Sequence, residues 1–208
     1  MSVHKIVSEL FHLLNTRLFK ERPFIVAIDG LSGAGKTTMV KKLEDGLKSK
    51  CNVTIIHIDD HIVENNKRYN TGYDEWYEYY YLQWDIELIK NDFLKKIHSN
   101  YTKLSLPYFD KDSNNTTLKE ITISSDSIIL IEGIFLQRKE WKTFYDYIIF
   151  LDCPREIRYE RVLNRNLYIG ELQTRLNKYK RRYWLGEEHY FKIENPIEDA
   201  NKIINTIS

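Results

Sequence analysis

Gly30-Leu31-Ser32-Gly33-Ala34-Gly35-Lys36-Thr37 follows directly on the apolar run Phe24-Ile25-Val26-Ala27-Ile28 and leads into a stretch with Met39, Val40, Leu43 and Leu47 at helical spacing. The eight residues match G-x-x-x-x-G-K-[ST], a strand-to-helix loop that cradles phosphate. Glycines without a Cβ let the backbone curl so that successive N–H groups point inward, and the helix N-terminus adds partial positive charge. In such a loop Lys36 reaches the β- and γ-phosphates and the Thr37 hydroxyl ligates Mg²⁺. ATP is the expected nucleotide, with Gly30, Ser32, Gly33, Ala34, Gly35, Lys36, Thr37 and Thr38 as candidate contacts.

Outward from this loop, short apolar runs recur at 53–56, 128–131 and 147–151, and Lys202-Ile203-Ile204-Asn205 reads as a last short strand. Continuous apolar runs bounded by turn residues are the mark of strands buried on both faces of a parallel sheet. Helical patterns at 36–48, 75–98 and 138–144 separate them, and helices at about 154–166 and 171–186 follow. Val3, Ile6, Val7, Leu10, Phe11, Leu14 and Leu18 predict an amphipathic helix over 2–20. The polar stretch 110–117 between Leu104-Ser105-Leu106 and Leu118 to Ile123 reads as an inserted hairpin at about 103–124. The expected architecture is α/β, a P-loop NTPase fold with a mostly parallel sheet flanked by helices, a small β-hairpin insertion and a helical lid at about 155–186. Residues 1–208 are expected to form a single domain of this kind.

Composition narrows the classes. The 208 residues are 42 % hydrophobic and 29 % charged, which excludes collagen-like and mostly disordered chains. A formal net charge of +1 lacks the excess of a dedicated nucleic-acid binder. Cys51 and Cys153 lie far apart without a C-x-x-C partner, which argues against a disulfide framework or structural zinc and for a reducing cytoplasm. The first residues lack a signal-peptide pattern, and no apolar run reaches the roughly 20 residues of a membrane span. Homo-oligomerisation is left open.

Phosphoryl transfer needs a carboxylate to orient or deprotonate the acceptor and a divalent ion against the phosphates, both at the C-terminal ends of parallel strands. Asp59 and Asp60 follow Ile56-His57-Ile58, and Glu132 ends the strand 128–131. Asp59 is the candidate base, with helix capping the alternative; for Asp60 that order reverses. Glu132 is the metal-side candidate, directly or through water, with a polar strand end as the alternative. His57 and His61 flank the aspartates, yet a phosphate-loop site favours Mg²⁺ held by oxygen.

Residues 155–182 carry nine Lys/Arg and three Glu, the only basic concentration. Arg158, Arg161 and Arg165 are spaced three and four apart, placing three guanidiniums on one helix face suited to clamping polyphosphate, with solvated Glu/Arg pairing as the alternative. Asn166 to Gly170 could hinge a closing lid that excludes water. In the aromatic cluster 73–84, Tyr77, Tyr80 and Trp84 read as core packing, and Tyr73 or Tyr79 as a stacking wall for a planar acceptor. The guanine-reading N-K-x-D of GTPases is missing, since Asn66-Lys67-Arg68-Tyr69 and Asn201-Lys202-Ile203-Ile204 both lack the aspartate. No second L-S-G-G-Q segment of the ABC type is present.

Taken together, G-L-S-G-A-G-K-T-T at 30–38, I-D-D at 58–60 and I-E-G-I at 131–134 resemble the uridine kinase-like P-loop kinases, which include phosphoribulokinases, pantothenate kinases and nicotinamide riboside kinases. The resemblance covers about 24–206. It implies that Asp59 is the base for the accepting hydroxyl and that Glu132 lies near metal and acceptor. Leu151-Asp152-Cys153-Pro154-Arg155 with Arg158, Arg161 and Arg165 is similar to the family's last core strand and arginine-bearing lid. Leu106-Pro107-Tyr108-Phe109-Asp110 resembles its substrate hairpin, which makes Tyr108 and Asp110 candidate acceptor contacts. Three departures concern the acceptor and the lid. The F-D-H-P acid that holds ribose hydroxyls in uridine kinases has no counterpart near Glu78-Tyr79-Tyr80-Tyr81, the histidine after the hairpin's Y-D is missing, and the lid's R-D is Arg165-Asn166. The expectation is an ATP- and Mg²⁺-dependent kinase of a small-molecule hydroxyl, a nucleoside first and nicotinamide riboside, pantothenate or a sugar phosphate as alternatives. Catalysis would rest on Lys36, Asp59, Arg161 and Arg165, with Asp59, Tyr79, Tyr108, Asp110 and Glu132 toward the acceptor. A nucleotide-binding regulator or RNA-associated ATPase using the basic segment, and a catalytically silent nucleotide-binding scaffold, are the rivals from other classes.

Overall fold

A computed structural model describes residues 2–18, 21–165 and 170–206, with Arg165 described in its backbone only. In chain order the elements are α1 (Val3–Thr16), β1 (Phe24–Asp29), α2 (Lys36–Leu47), β2 (Val53–His57), a 3₁₀ turn (Ile58–His61), α3 (Asn65–Arg68), α4 (Glu75–Tyr81), α5 (Ile86–Leu88) and α6 (Lys95–His98). They continue with β3 (Lys103–Asp110), β4 (Asn115–Thr122), β5 (Ile128–Gly133), β6 (Tyr147–Asp152), α7 (Arg155–Arg165), α8 (Leu172–Lys178), α9 (Leu185–Glu194), α10 (Pro196–Asp199) and β7 (Lys202–Asn205). The main sheet has the order β2-β5-β1-β6-β7 and every pairing in it is parallel. The expected α/β architecture is therefore present, and β3 and β4 form the separate antiparallel hairpin.

The pleat sorts each buried strand onto two faces. Phe24, Val26 and Ile28 of β1 join Ile128 and Leu130 of β5 against Ile6 and Leu10 of α1 and Val40 and Leu43 of α2. Ile25, Ala27, Ile129 and Ile131 face the other way, against Tyr80, Trp84, Phe93 and Tyr190. Both faces are covered, which is why these strands read as unbroken apolar runs. Among the described residues no helix is long and apolar enough to cross a membrane.

Three expected elements differ in detail. The stretch 138–144 holds only a 3₁₀ turn at Lys142–Phe144, because Arg138 and Trp141 turn fully inward and the chain bends around them. The pattern at 75–98 breaks after Tyr81, where Asp85 caps a new start by accepting from the Leu88 N–H at 2.9 Å; a π turn at Ile89–Leu94 then joins α5 to α6. The last lid helix runs past 186 to Glu194, through a π turn at Tyr179–Trp184. Of the helix expected over 2–20, α1 stops at Thr16 because Arg17 turns extended; residues 19–20 and the hinge residues 166–169 lie outside the described residues.

Candidate active site

The C-terminal ends of β1, β2 and β5 lie side by side, in a register that pairs Ile28 with Glu132 and His57 with Glu132. The segments leaving these strands therefore converge on one edge of the sheet, where ligands of open parallel sheets bind. A cavity of about 390 Å³ opens there, lined by the stretch 32–39 and by Lys42, Asp59, Tyr79, Glu132, Ile134, Arg161, Val162 and Thr206. Eleven candidate site residues line it: Ser32, Gly33, Ala34, Gly35, Lys36, Thr37, Thr38, Asp59, Tyr79, Glu132 and Arg161. Gly30 begins the loop at the end of β1.

The loop's shape depends on two glycines in the left-handed region. Gly33 has φ +82°, and a Cβ there would stand 2.8 Å from the Arg158 carbonyl oxygen, so the lid helix packs directly on the loop. Gly35 has φ +94° and turns the chain into α2. The Lys36 ammonium donates to the carbonyls of Gly30 at 2.8 Å and Leu31 at 3.2 Å, lying along the inside of the loop. The Thr37 hydroxyl donates to Glu132 Oε1 at 3.2 Å, and His57 Nδ1 lies 2.7 Å from the same oxygen. Thr37 and Glu132 thus present hard oxygen donors beside the phosphate loop, a set that fits Mg²⁺. His61 is occupied elsewhere: its Nδ1 meets the Pro107 carbonyl at 2.5 Å, and burial lowers its pKa.

Asp59 is exposed to the cavity yet walled by protein. That enclosure raises its carboxyl pKa, Glu132 and Asp60 push the same way, and Lys36 and Lys111 oppose them. A carboxylate shifted in this direction is a stronger proton acceptor than a free one. Tyr79 also lines the cavity, but its ring is packed on Phe135 at 5.1 Å and Tyr183 at 4.8 Å rather than left open as a stacking wall; its phenol is held well above its ordinary range, first by burial and then by Glu187, so it remains an O–H group.

Other candidates stand apart. Asp110 closes the hairpin turn, accepting from Asp112 N–H at 2.9 Å and Ser113 Oγ at 2.8 Å, and Tyr108 lies under the Lys119 ammonium at 3.0 Å; neither lines the cavity. Tyr73 is 61 % exposed and stacks on Tyr77 at 4.6 Å, outside the cavity, while Tyr80 and Trp84 are buried. Of the three lid arginines, Arg161 lines the cavity and donates to the Gly33 carbonyl at 3.1 Å. Arg158 instead is buried and paired with Glu187, so the helix does not present an even row of guanidiniums. The Arg165 side chain lies outside the described residues. The basic segment is also partly matched: Arg155, Arg158, Arg181 and Arg182 pair with Glu188, Glu187, Glu75 and Glu78.

Two further residues shape the site without a clear signal in the motifs. Asp29, fully buried just before Gly30, accepts from the Gly30 N–H at 2.8 Å, Gln137 Nε2 at 3.0 Å and the Tyr190 hydroxyl at 2.5 Å. Burial raises its pKa, and these donors oppose the rise. Thr206, after β7, donates to the Ala34 carbonyl at 3.1 Å and lines the cavity.

The sequence profile of the Phosphoribulokinase / Uridine kinase family matches residues 25–169. The chain is similar to a uridine kinase of Borrelia duttonii (strain Ly), with 27 % identity over 188 residues, 86 % of this chain and 85 % of the relative. A uridine kinase of Lactobacillus helveticus (strain DPC 4571) is 25 % identical over 153 residues, 71 % of this chain and 69 % of the relative. Among solved structures, that of a "possible uridine kinase" from Bacillus stearothermophilus superimposes with a TM-score of 0.79 at 34 % identity, covering 98 % of this chain and all of the other. D-glycerate 3-kinase from Cryptococcus neoformans shares the fold, with a TM-score of 0.65 at 11 % identity, covering 98 % of this chain and 93 % of the other.

Proposed function

Because the chain belongs to the phosphoribulokinase/uridine kinase family, we propose that it transfers the γ-phosphoryl group of ATP to a hydroxyl of a small acceptor, nucleosides first among them. The observation that carries this reading is the convergence of Lys36, Thr37, Asp59, Glu132 and Arg161 on one cavity.

In this reading the N–H groups of the loop bind the phosphates, and Lys36 leaves the loop carbonyls to neutralise the β- and γ-phosphates. Thr37 and Glu132 hold Mg²⁺, which when bound supplies positive charge to the phosphoryl oxygens. Asp59 takes the proton of the acceptor hydroxyl as its oxygen forms a bond to the γ-phosphorus; the bond from that phosphorus to the bridging oxygen breaks, and ADP leaves. Arg161 neutralises charge moving toward the leaving group, and Arg165 is assigned the same task on the family's lid pattern. Tyr79 offers its O–H to the acceptor. Tyr108 and Asp110 are assigned to the acceptor on the family's hairpin pattern and do not line the cavity themselves. Residues 1–208 work as one kinase domain.

A second acceptor class is favoured by one specific observation. Glu78, the acid nearest in the chain to Tyr79, is buried and held by Arg182 at 3.0 Å and by the Thr71 hydroxyl at 2.9 Å. It is not free to grip a ribose diol, and this supports an acceptor such as pantothenate or a sugar phosphate. The test is purified protein with MgATP and a panel of nucleosides, nicotinamide riboside, pantothenate and sugar phosphates, read by mass spectrometry for a phosphate adduct. A nucleoside monophosphate supports the first reading and a phosphorylated non-nucleoside the second. ATP hydrolysis stimulated by RNA with no adduct would overturn both.

A further inference from the structure

The outer side of the phosphate loop is held by a buried ion pair that no motif predicts. Glu187 on α9 and Arg158 on α7 are 3 % and 5 % exposed. Glu187 Oε2 meets Arg158 Nη1 at 3.0 Å, and Glu187 Oε1 accepts from the Ser32 N–H at 3.0 Å. Arg158 Nη1 also donates to the Ser32 carbonyl at 3.2 Å, while its Nε donates to the Cys153 carbonyl at 3.1 Å. Both backbone polar groups of Ser32 are therefore bound to one carboxylate–guanidinium pair drawn from two different helices.

Ser32 directly precedes Gly33-Ala34-Gly35-Lys36, the part of the loop whose backbone would cradle phosphate and whose Ala34 N–H is given to the Leu31 carbonyl at 3.1 Å. Lys36 holds the Gly30 and Leu31 carbonyls from within, and the pair holds Ser32 from without. Gly33 is pressed against the backbone of α7 at Arg158, so this part of the loop cannot shift without moving the lid helix. Arg161 stands three residues beyond Arg158 on the same helix and reaches Gly33. On the other side, a Cβ on Gly186 would lie 2.8 Å from the Tyr79 ring, so α9 is seated on the helix that carries Tyr79.

We propose that Glu187 is a positioning residue for nucleotide binding: through the Ser32 N–H and Arg158 it holds the phosphate loop in its receptive shape and seats Arg161 over the cavity. The proposal rests on the nucleotide-site reading above. Preorganised donors bind phosphate without first being ordered, so removing the hold weakens the nucleotide while leaving the acceptor's own contacts intact.

The test is calorimetric titration of MgADP into the parent protein, E187Q and the double variant E187Q/R158M, with thermal melts and steady-state kinetics on each. E187Q is expected to bind MgADP at least tenfold more weakly and to raise the KM for ATP in parallel, with the acceptor KM within twofold of the parent. The double variant removes the buried unpaired cation, so it is expected to recover melting temperature without recovering nucleotide affinity. A merely structural pair would show the reverse, with affinity returning alongside stability. Folded E187Q, or the double variant where E187Q fails to fold, binding MgADP within twofold of a parent that binds it well overturns the proposal alone. A parent that does not bind MgADP overturns the nucleotide-site reading and the proposal with it.

Discussion

The Thr37 hydroxyl donates to Glu132 Oε1 at 3.2 Å, so the first turn of α2 and the end of β5 share one carboxylate at the edge of the phosphate loop. His57 Nδ1 lies on the same oxygen at 2.7 Å. Replacing Glu132 with Gln keeps the shape and removes the charge. We expect the Mg²⁺ concentration for half-maximal activity to rise at least about tenfold, with turnover at saturating metal down about a hundredfold, on the scale of a lost electrostatic contact. Activity measured against Mg²⁺ at fixed ATP checks this, and an unchanged metal requirement would remove Glu132 from the metal site.

Asp59→Asn is expected to lower turnover about a thousandfold, within the range for a positioned base, while MgADP still binds. Undiminished turnover would sink the assignment. In the parent, activity should fall as pH drops through the Asp59 pKa, and because that value is raised, the acid limb should stand above the ordinary aspartate range near about 4.

The same shift makes a stability prediction. With its folded pKa above its unfolded one, the Asp59 carboxyl binds more protons in the folded state between the two values, so its contribution falls as pH rises through the folded pKa. Asp59→Asn should therefore melt higher than the parent at pH 7 to 8, and the difference should shrink as pH falls toward about 4. A melting difference independent of pH would show that the carboxyl is not shifted as described.

Lys36→Ala removes the donor to the Gly30 and Leu31 carbonyls as well as the charge meant for the phosphates. Nucleotide affinity should drop at least about tenfold and transfer should be lost, since the cation inside the loop goes with it. Calorimetry with MgADP and an assay at saturating ATP separate the two effects.

Tyr190→Phe tests the support beneath the loop. The Tyr190 hydroxyl donates to Asp29 Oδ2 at 2.5 Å, and Gln137 Nε2 is the other donor to that oxygen. Losing a donor to a fully buried carboxylate should cost about 1–3 kcal/mol of stability. Urea unfolding measures this, and turnover per folded molecule should stay within about threefold, because Asp29 does not line the cavity.

The phosphate loop is legible because its chemistry is contained in eight consecutive residues, and Asp59 and Glu132 are legible because one stands just past a recognisable strand and the other near the end of one. The lid is less so. Helical spacing puts Arg158, Arg161 and Arg165 on one face but cannot say that a carboxylate from α9 claims Arg158. Likeness to a hairpin pattern points to Tyr108 and Asp110, whereas local turn bonds hold Asp110 and Lys119 covers Tyr108. Asp29 stands in plain view before Gly30, yet nothing near it in the chain announces the Tyr190 hydroxyl, 161 residues away.

Periodicity and the glycine-rich motif alone are enough for the parallel α/β architecture, the phosphate loop and the acids at the strand ends, because each depends on neighbours in the chain. Folding chose the long-range partners: Glu187 under Ser32 across 155 residues, Tyr190 under Asp29, and Arg161 rather than Arg158 over the cavity. A buried charge must find a partner, and the partner is whichever group the packing of distant helices carries to within about 3 Å.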